Sequence, residues 1–109
     1  MKSFTDREKG FEAEFKRNQE LRFRVTARRN RLFGSWAASR LGLPAGEETE
    51  AYAKTVVEAD FEAPGDDDVI NKVRTDFEKK GIAITQAELR TELERAAAEA
   101  RRQIAQSQT

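Results

Sequence analysis

The sequence predicts an all-α fold: an antiparallel four-helix bundle with a flexible N-terminal arm. Three observations lead there. Glycine and proline fall in a few tight groups, Gly42-Leu43-Pro44-Ala45-Gly46, Pro64-Gly65 and Gly81, which divide the chain into segments of helical length. Within those segments apolar residues recur at spacings of three, four or seven, and no stretch alternates long enough to make a strand. The connections are short, so consecutive helices are expected to lie side by side in opposite directions.

The first helix is expected over about residues 19–41. Leu21, Val25, Leu32, Trp36 and Ala37 form one stripe, widened by Phe23 and Phe33. Gly42 suits the left-handed position after a helix, and Pro44 prevents continuation. The second helix is expected over about 47–62. Glu47, Glu48 and Glu50 favour its positive end, with Tyr52, Val56 and Ala59 in one row and Ala53, Val57 and Phe61 in the next. The third spans about 67–80, with Asp66 as its expected N-cap, Val69, Ile70, Val73 and Phe77 facing one way, and Gly81 as its stop.

The fourth helix has the strongest start signal in the chain. Thr85-Gln86-Ala87-Glu88 reads as a capping box, flanked by Ile84 and Leu89 as a hydrophobic staple. Leu89, Leu93, Ala96, Ala100 and Ile104 continue its stripe. The folded bundle is therefore expected over 19–105, with 106–109 as a frayed tail. Trp36 is expected to be the largest core anchor, and a buried Trp36 replaced by Ala would cost about 3–5 kcal/mol.

Residues 1–18 stand apart. Phe4, Phe11 and Phe15 share a helical face by their spacing, but the segment is highly charged, and Gly10 costs a helix about 1 kcal/mol relative to Ala. An isolated helix of this length is marginal in water. The segment is expected to be disordered or partly helical when free, and helical when its aromatic face meets another protein. A competing reading folds Phe11 and Phe15 back onto the bundle and extends the first helix.

Composition narrows the function. At 109 residues the chain is expected to make one domain or less. It has no Cys and no His, which removes disulfides, thiolate metal sites and the Ser-His and Cys-His nucleophile systems. Catalysis by the chain is not expected, and no cofactor or metal is implied. No apolar run approaches the ~18 residues of a membrane span, and Lys2 is followed by no apolar signal core. A soluble cytoplasmic protein without direct membrane insertion is expected.

Net charge is zero but strongly partitioned. Residues 21–43 hold Arg22, Arg24, Arg28, Arg29, Arg31 and Arg40 and no acid; residues 44–69 are acidic with Lys54 alone opposing. The arginines can be read as a phosphate-contacting helix, with Arg28, Arg29 and Arg31 the candidates for a nucleotide or nucleic-acid phosphate. The partition favours the plainer reading, in which they form the wet face of the first helix and pair with the acidic second and third segments. Gly65-Asp66-Asp67-Asp68 lacks the alternating ligands of a calcium loop and suits a helix start instead. Gly46-Glu47 lacks the Lys that a phosphate loop requires.

Several runs together resemble a known family. FTDREKGFE at 4–12, ARRNRLFGSWAA at 27–38, Tyr52-Ala53-Lys54, Ala59-Asp60-Phe61-Glu62 and Gly65-Asp66-Asp67-Asp68-Val69 look like the zeta subunits, small inhibitor subunits of the F-type ATP synthase of alphaproteobacteria. The resemblance implies a four-helix bundle whose arm becomes helical and wedges into the catalytic interface of the rotary head. It implies that hydrolysis is blocked while the synthetic direction expels the arm. The matching positions for the inhibitory face are Phe4, Arg7, Glu8, Phe11, Glu12 and Phe15. The partner would be the catalytic head, the free chain a monomer, and its place the cytoplasm, peripheral to the inner membrane. Relatives often carry Ala at the position of Gly10, which implies a weaker arm helix here. The readings from other classes are an Arg-mediated nucleic-acid or nucleotide binder and a general adaptor bundle.

Overall fold

The computed structural model describes the backbone of residues 4–62 and 65–107 and the side chains of residues 18–61 and 65–107. Helix α1 spans Phe4–Arg40, α2 Glu47–Glu62, α3 Asp66–Lys80 and α4 Gln86–Ser107. Helices account for all the regular structure among the described residues. Side-chain pairings fix the directions. Phe23 meets Phe61 and Arg31 meets Glu50, so α1 and α2 run oppositely. Arg29 meets Asp66 and Trp36 meets Phe77, so α1 and α3 run the same way. Arg28 reaches Gln103, while Trp36 shares a cleft with Ile84 and Ala87, which makes α4 antiparallel to α1.

The helix ends follow local chemistry. Gly42 and Gly81 are left-handed, with φ of 82° and 75°. After α1, Leu43 N donates to Ala38 O at 3.0 Å and Gly42 N to Ser39 O at 3.1 Å; after α3, Ile82 N donates to Phe77 O at 2.9 Å and Gly81 N to Glu78 O at 3.0 Å. Both ends are therefore Schellman closures. The capping box is formed as the sequence predicts, with Glu88 N donating to Thr85 Oγ1 at 3.1 Å and Thr85 N to Glu88 Oε2 at 3.4 Å.

The start of α3 differs from expectation. Its N-cap is Gly65, with φ 122° and ψ 156° and no side-chain cap bond, and Asp66 is already the first helical residue. The reason is tertiary: the Asp66 carboxylate accepts from Arg29 Nη1 of α1 at 2.9 Å instead of capping its own helix.

The core gathers Phe33, Ala37 and Leu41 from α1, Val56 from α2, Val69, Ile70, Val73 and Phe77 from α3, and Leu89, Leu93 and Ala96 from α4. Phe33 and Phe77 are the largest fully buried side chains. Trp36 is only half-buried. It stacks on Phe33 at 5.7 Å and tilts against Phe77 at 5.8 Å, while the Arg40 guanidinium lies 5.7 Å from its ring centre. The anchor role expected of Trp36 thus belongs to Phe33 and Phe77. Gly34 marks the close crossing of α1 and α2: a Cβ there would lie 2.7 Å from Ala53 Cα.

α1 is continuous across residues 18 and 19, and its 37 residues would span about 55 Å against about 33 Å for the 22 of α4. α4 continues past residue 105 to Ser107, and the last two residues lie outside the described ones.

Candidate partner-binding site

The arm residues singled out by the sequence, Phe4, Arg7, Glu8, Phe11, Glu12 and Phe15, belong to the first turns of α1, and their side chains lie outside the described residues. What the backbone supplies is phase. In an uninterrupted helix, spacings of seven and four keep Phe4, Phe11 and Phe15 on one face. The helix that carries them is the same one that packs into the bundle, so the bundle presents the arm directly.

The arginines divide. Arg29 has a side chain only 12% exposed; besides Asp66, its Nε donates to the buried Asn30 Oδ1 at 3.0 Å. Arg31 pairs with Glu50 of α2 at 2.7 Å. Arg28 donates to the neutral Gln103 of α4 at 2.8 Å. Arg29 and Arg31 thus neutralise acids of α3 and α2, as the plainer reading predicts. Arg28 and Arg31 line a common groove with Arg24, and Arg29 is not among its lining residues. The three candidates for a phosphate therefore do not converge on one cleft.

The acidic run at the start of α3 is divided among neighbours. Asp66 goes to Arg29, and Asp67 accepts from Arg90 of α4 at 2.7 Å. Those bonds tie α3 to α1 and α4, a structural use of the Gly65-Asp66-Asp67-Asp68 run. Among the described residues no group of three or more His, Cys, Asp or Glu is placed to hold a metal ion. No helix among them is long and apolar enough to cross a membrane.

Titration shifts follow structural pairs. Burial, then a hydrogen bond and charge from Asp76, push the Tyr52 phenol upwards. The Tyr52 hydroxyl donates to Asp76 Oδ2 at 2.8 Å, and Lys72 Nζ also reaches that oxygen at 2.8 Å. Hydrogen bonds from Arg102 and Gln103 hold the Glu99 carboxyl down at about 2. Both groups move away from the neutral pH range, so neither poises a proton for transfer: Tyr52 ties α2 to α3, and Glu99 pairs along its own helix.

Helical spacing puts Phe23 and Phe61 on apolar faces but does not reveal that they meet. Their rings lie 6.1 Å apart and stay exposed. Phe61's place in the last turn of α2 is the available signal, since a ring at a helix end has few neighbours from its own helix.

Fold and surface together define the class: a small all-α bundle whose first helix is much longer than the rest. A protein solved by solution NMR is similar to it, at 41% identity and a TM-score of 0.70, covering 80% of this chain and 98% of that one. No curated protein matches the sequence. The family described as ATPase inhibitor subunit zeta matches residues 1–103, and the chain belongs to that family.

Proposed function

We propose that this chain is an inhibitory subunit of an F-type ATP synthase, and that its first 18 residues act by entering the catalytic interface of the rotary head as a helix. The observation that carries the reading is the family match, which takes in the arm as well as the bundle. The continuity of α1 supports it, because an arm already in register with a folded helix loses less freedom on binding than a loose peptide. Phe4, Phe11 and Phe15 serve as apolar anchors, and Arg7, Glu8 and Glu12 supply polar contacts around them. The bundle tethers the arm at high effective concentration. Hydrolytic rotation then meets a wedge, while rotation in the synthetic direction opens the interface and releases it. The partner is the catalytic head, and the location is the cytoplasmic side of the inner membrane.

ATP hydrolysis by the cognate head, with full-length protein and with a version lacking residues 1–18, tests this. Inhibition by the full chain alone is expected. Equal activity with both would count against the arm, and pull-down of the head without any inhibition would leave an adaptor.

A further inference from the structure

Phe23 and Phe61 are the large apolar side chains left exposed among the described residues, at 60% and 65%. Their rings lie 6.1 Å apart, one on α1 and one on α2. Two grooves continue from them along the outer face of this helix pair, one of about 320 Å³ and one of about 400 Å³. Both are lined by Arg31 and Val57, so they join into one furrow, to which Ala27 and Ala51 add apolar surface. Contiguous exposed apolar surface rimmed by polar groups marks a contact site.

The rim says what the contact is made with, because its two margins carry opposite charge. Arg24 stands on the α1 margin, towards Ile104 of α4, and Glu58 on the α2 margin, in the cleft with α3. Both are exposed, and neither has an ion pair among the described residues. They stand at similar heights. From the Phe23–Phe61 contact, Arg24 lies one residue along α1 and Glu58 three residues back along α2, both towards the Arg31–Glu50 pair. That is about 1.5 Å and about 4.5 Å of rise. A two-fold axis running along the furrow, parallel to the helices, lays α1 of one copy on α2 of another. It sets Phe23 against Phe61 of the second copy and Arg24 against Glu58 of the second copy, and symmetry makes each contact twice. An anionic lipid surface would suit Arg24 and Arg28 but would be repelled by the exposed Glu50 and Glu58. A second copy carries both charges in the required order.

We propose that the α1–α2 face is self-complementary, and that its occupant is a second copy of this chain, giving a two-fold dimer in solution. This departs from the monomer that the family resemblance implies, and it does not depend on the inhibitor reading. Because the axis runs parallel to α1, both first helices leave the dimer at the same end.

Sedimentation equilibrium of the full-length chain, over a micromolar-to-millimolar concentration series, tests this. The wild type is expected to shift reversibly from the mass of one chain towards that of two. Phe61→Asp should weaken association by about tenfold or more, as loss of a central apolar contact does. Arg24→Glu and Glu58→Arg should each weaken it by about the same factor, since each sets like charges together twice. The decisive variant combines them: Arg24→Glu with Glu58→Arg restores opposite charges across the two-fold and should recover most of the wild-type association. An equimolar mixture of the two single variants should recover it too, as a mixed dimer. Thermal melts check that every variant folds.

A wild-type chain that stays a monomer to millimolar concentration overturns the proposal. So does a dimer that folded Phe61→Asp leaves unchanged, or a pair of charge variants whose losses add in the double variant instead of cancelling. A monomer that sediments with anionic vesicles, and ceases to do so on Phe61→Asp, would also overturn it by giving the face to a lipid surface. No ATPase head takes part in these measurements, so their failure leaves the inhibitor reading where it stood.

Discussion

Replacing Gly34 by Ala adds one methyl group where α1 crosses α2. The new Cβ would lie 2.7 Å from Ala53 Cα and 3.2 Å from the Cβ atoms of Ala53 and Val56. Ordinary carbon–carbon contact is about 3.5 Å, so the helices must part by about 0.8 Å. The obstructing atom is backbone and cannot rotate away. Phe33 and Ala37 on one side and Val56 on the other are fully buried, so the shift also loosens the core around them. Overpacking of this kind costs about 1–3 kcal/mol, here at the upper end. Against it, Ala is a better helix former than Gly by about 1 kcal/mol. The net expectation is a loss of about 1–2 kcal/mol, or roughly 5–15 °C in Tm for a domain of this size. Thermal melts followed by far-UV circular dichroism measure it. Adding Ala53→Gly should recover only part of the loss, since Ala53 Cα remains in place. An unchanged or raised Tm for Gly34→Ala, or full recovery in the double variant, would refute the claimed backbone approach.

Other substitutions probe the remaining contacts. Phe77→Ala removes a fully buried ring and should cost about 3–5 kcal/mol in urea unfolding, whereas half-buried Trp36→Ala should cost about half as much; equal losses would contradict the packing. Thr85→Ala removes the hydroxyl that accepts from Glu88 N and should cost about 1 kcal/mol, with Thr85→Ser close to neutral. Glu99 titrates in the folded chain at about 2 against an ordinary 4.5. Its depressed value means that its contribution is complete above roughly pH 4.5 and is lost as pH falls towards 2. Because the pair is on the surface the effect is small, and Glu99→Gln should flatten that limb of the stability profile without changing it near neutrality.

Local signals made most of the fold legible. Capping at Thr85, left-handed glycines at 42 and 81, and apolar stripes at helical period are all set within a few residues of sequence, and the structure places the helices accordingly. What sequence missed depends on which helices meet. Asp66 reads as a cap until Arg29 of α1 competes for its carboxylate. Trp36 reads as the central anchor by size, yet its position at the edge between α1 and α4 leaves it half-buried. Gly34 and Asn30 carry no periodic signal, and only the crossing helix and the neighbouring Arg29 explain them. The same holds for Phe23 and Phe61, which lie on opposite sides of a turn and become a pair through tertiary packing. The family was legible from the motifs spread over the chain, because those motifs combine core, cap and arm positions that no single helix would require together.

The inhibitory role turns on where the arm goes. A photo-crosslinking residue in place of Phe11, in the full chain bound to the head during ATP hydrolysis, tests this directly. Adducts on the catalytic subunits at their interface, formed as hydrolysis stops, are the predicted result. Adducts confined to the chain's own bundle, with the head equally inhibited, would contradict it.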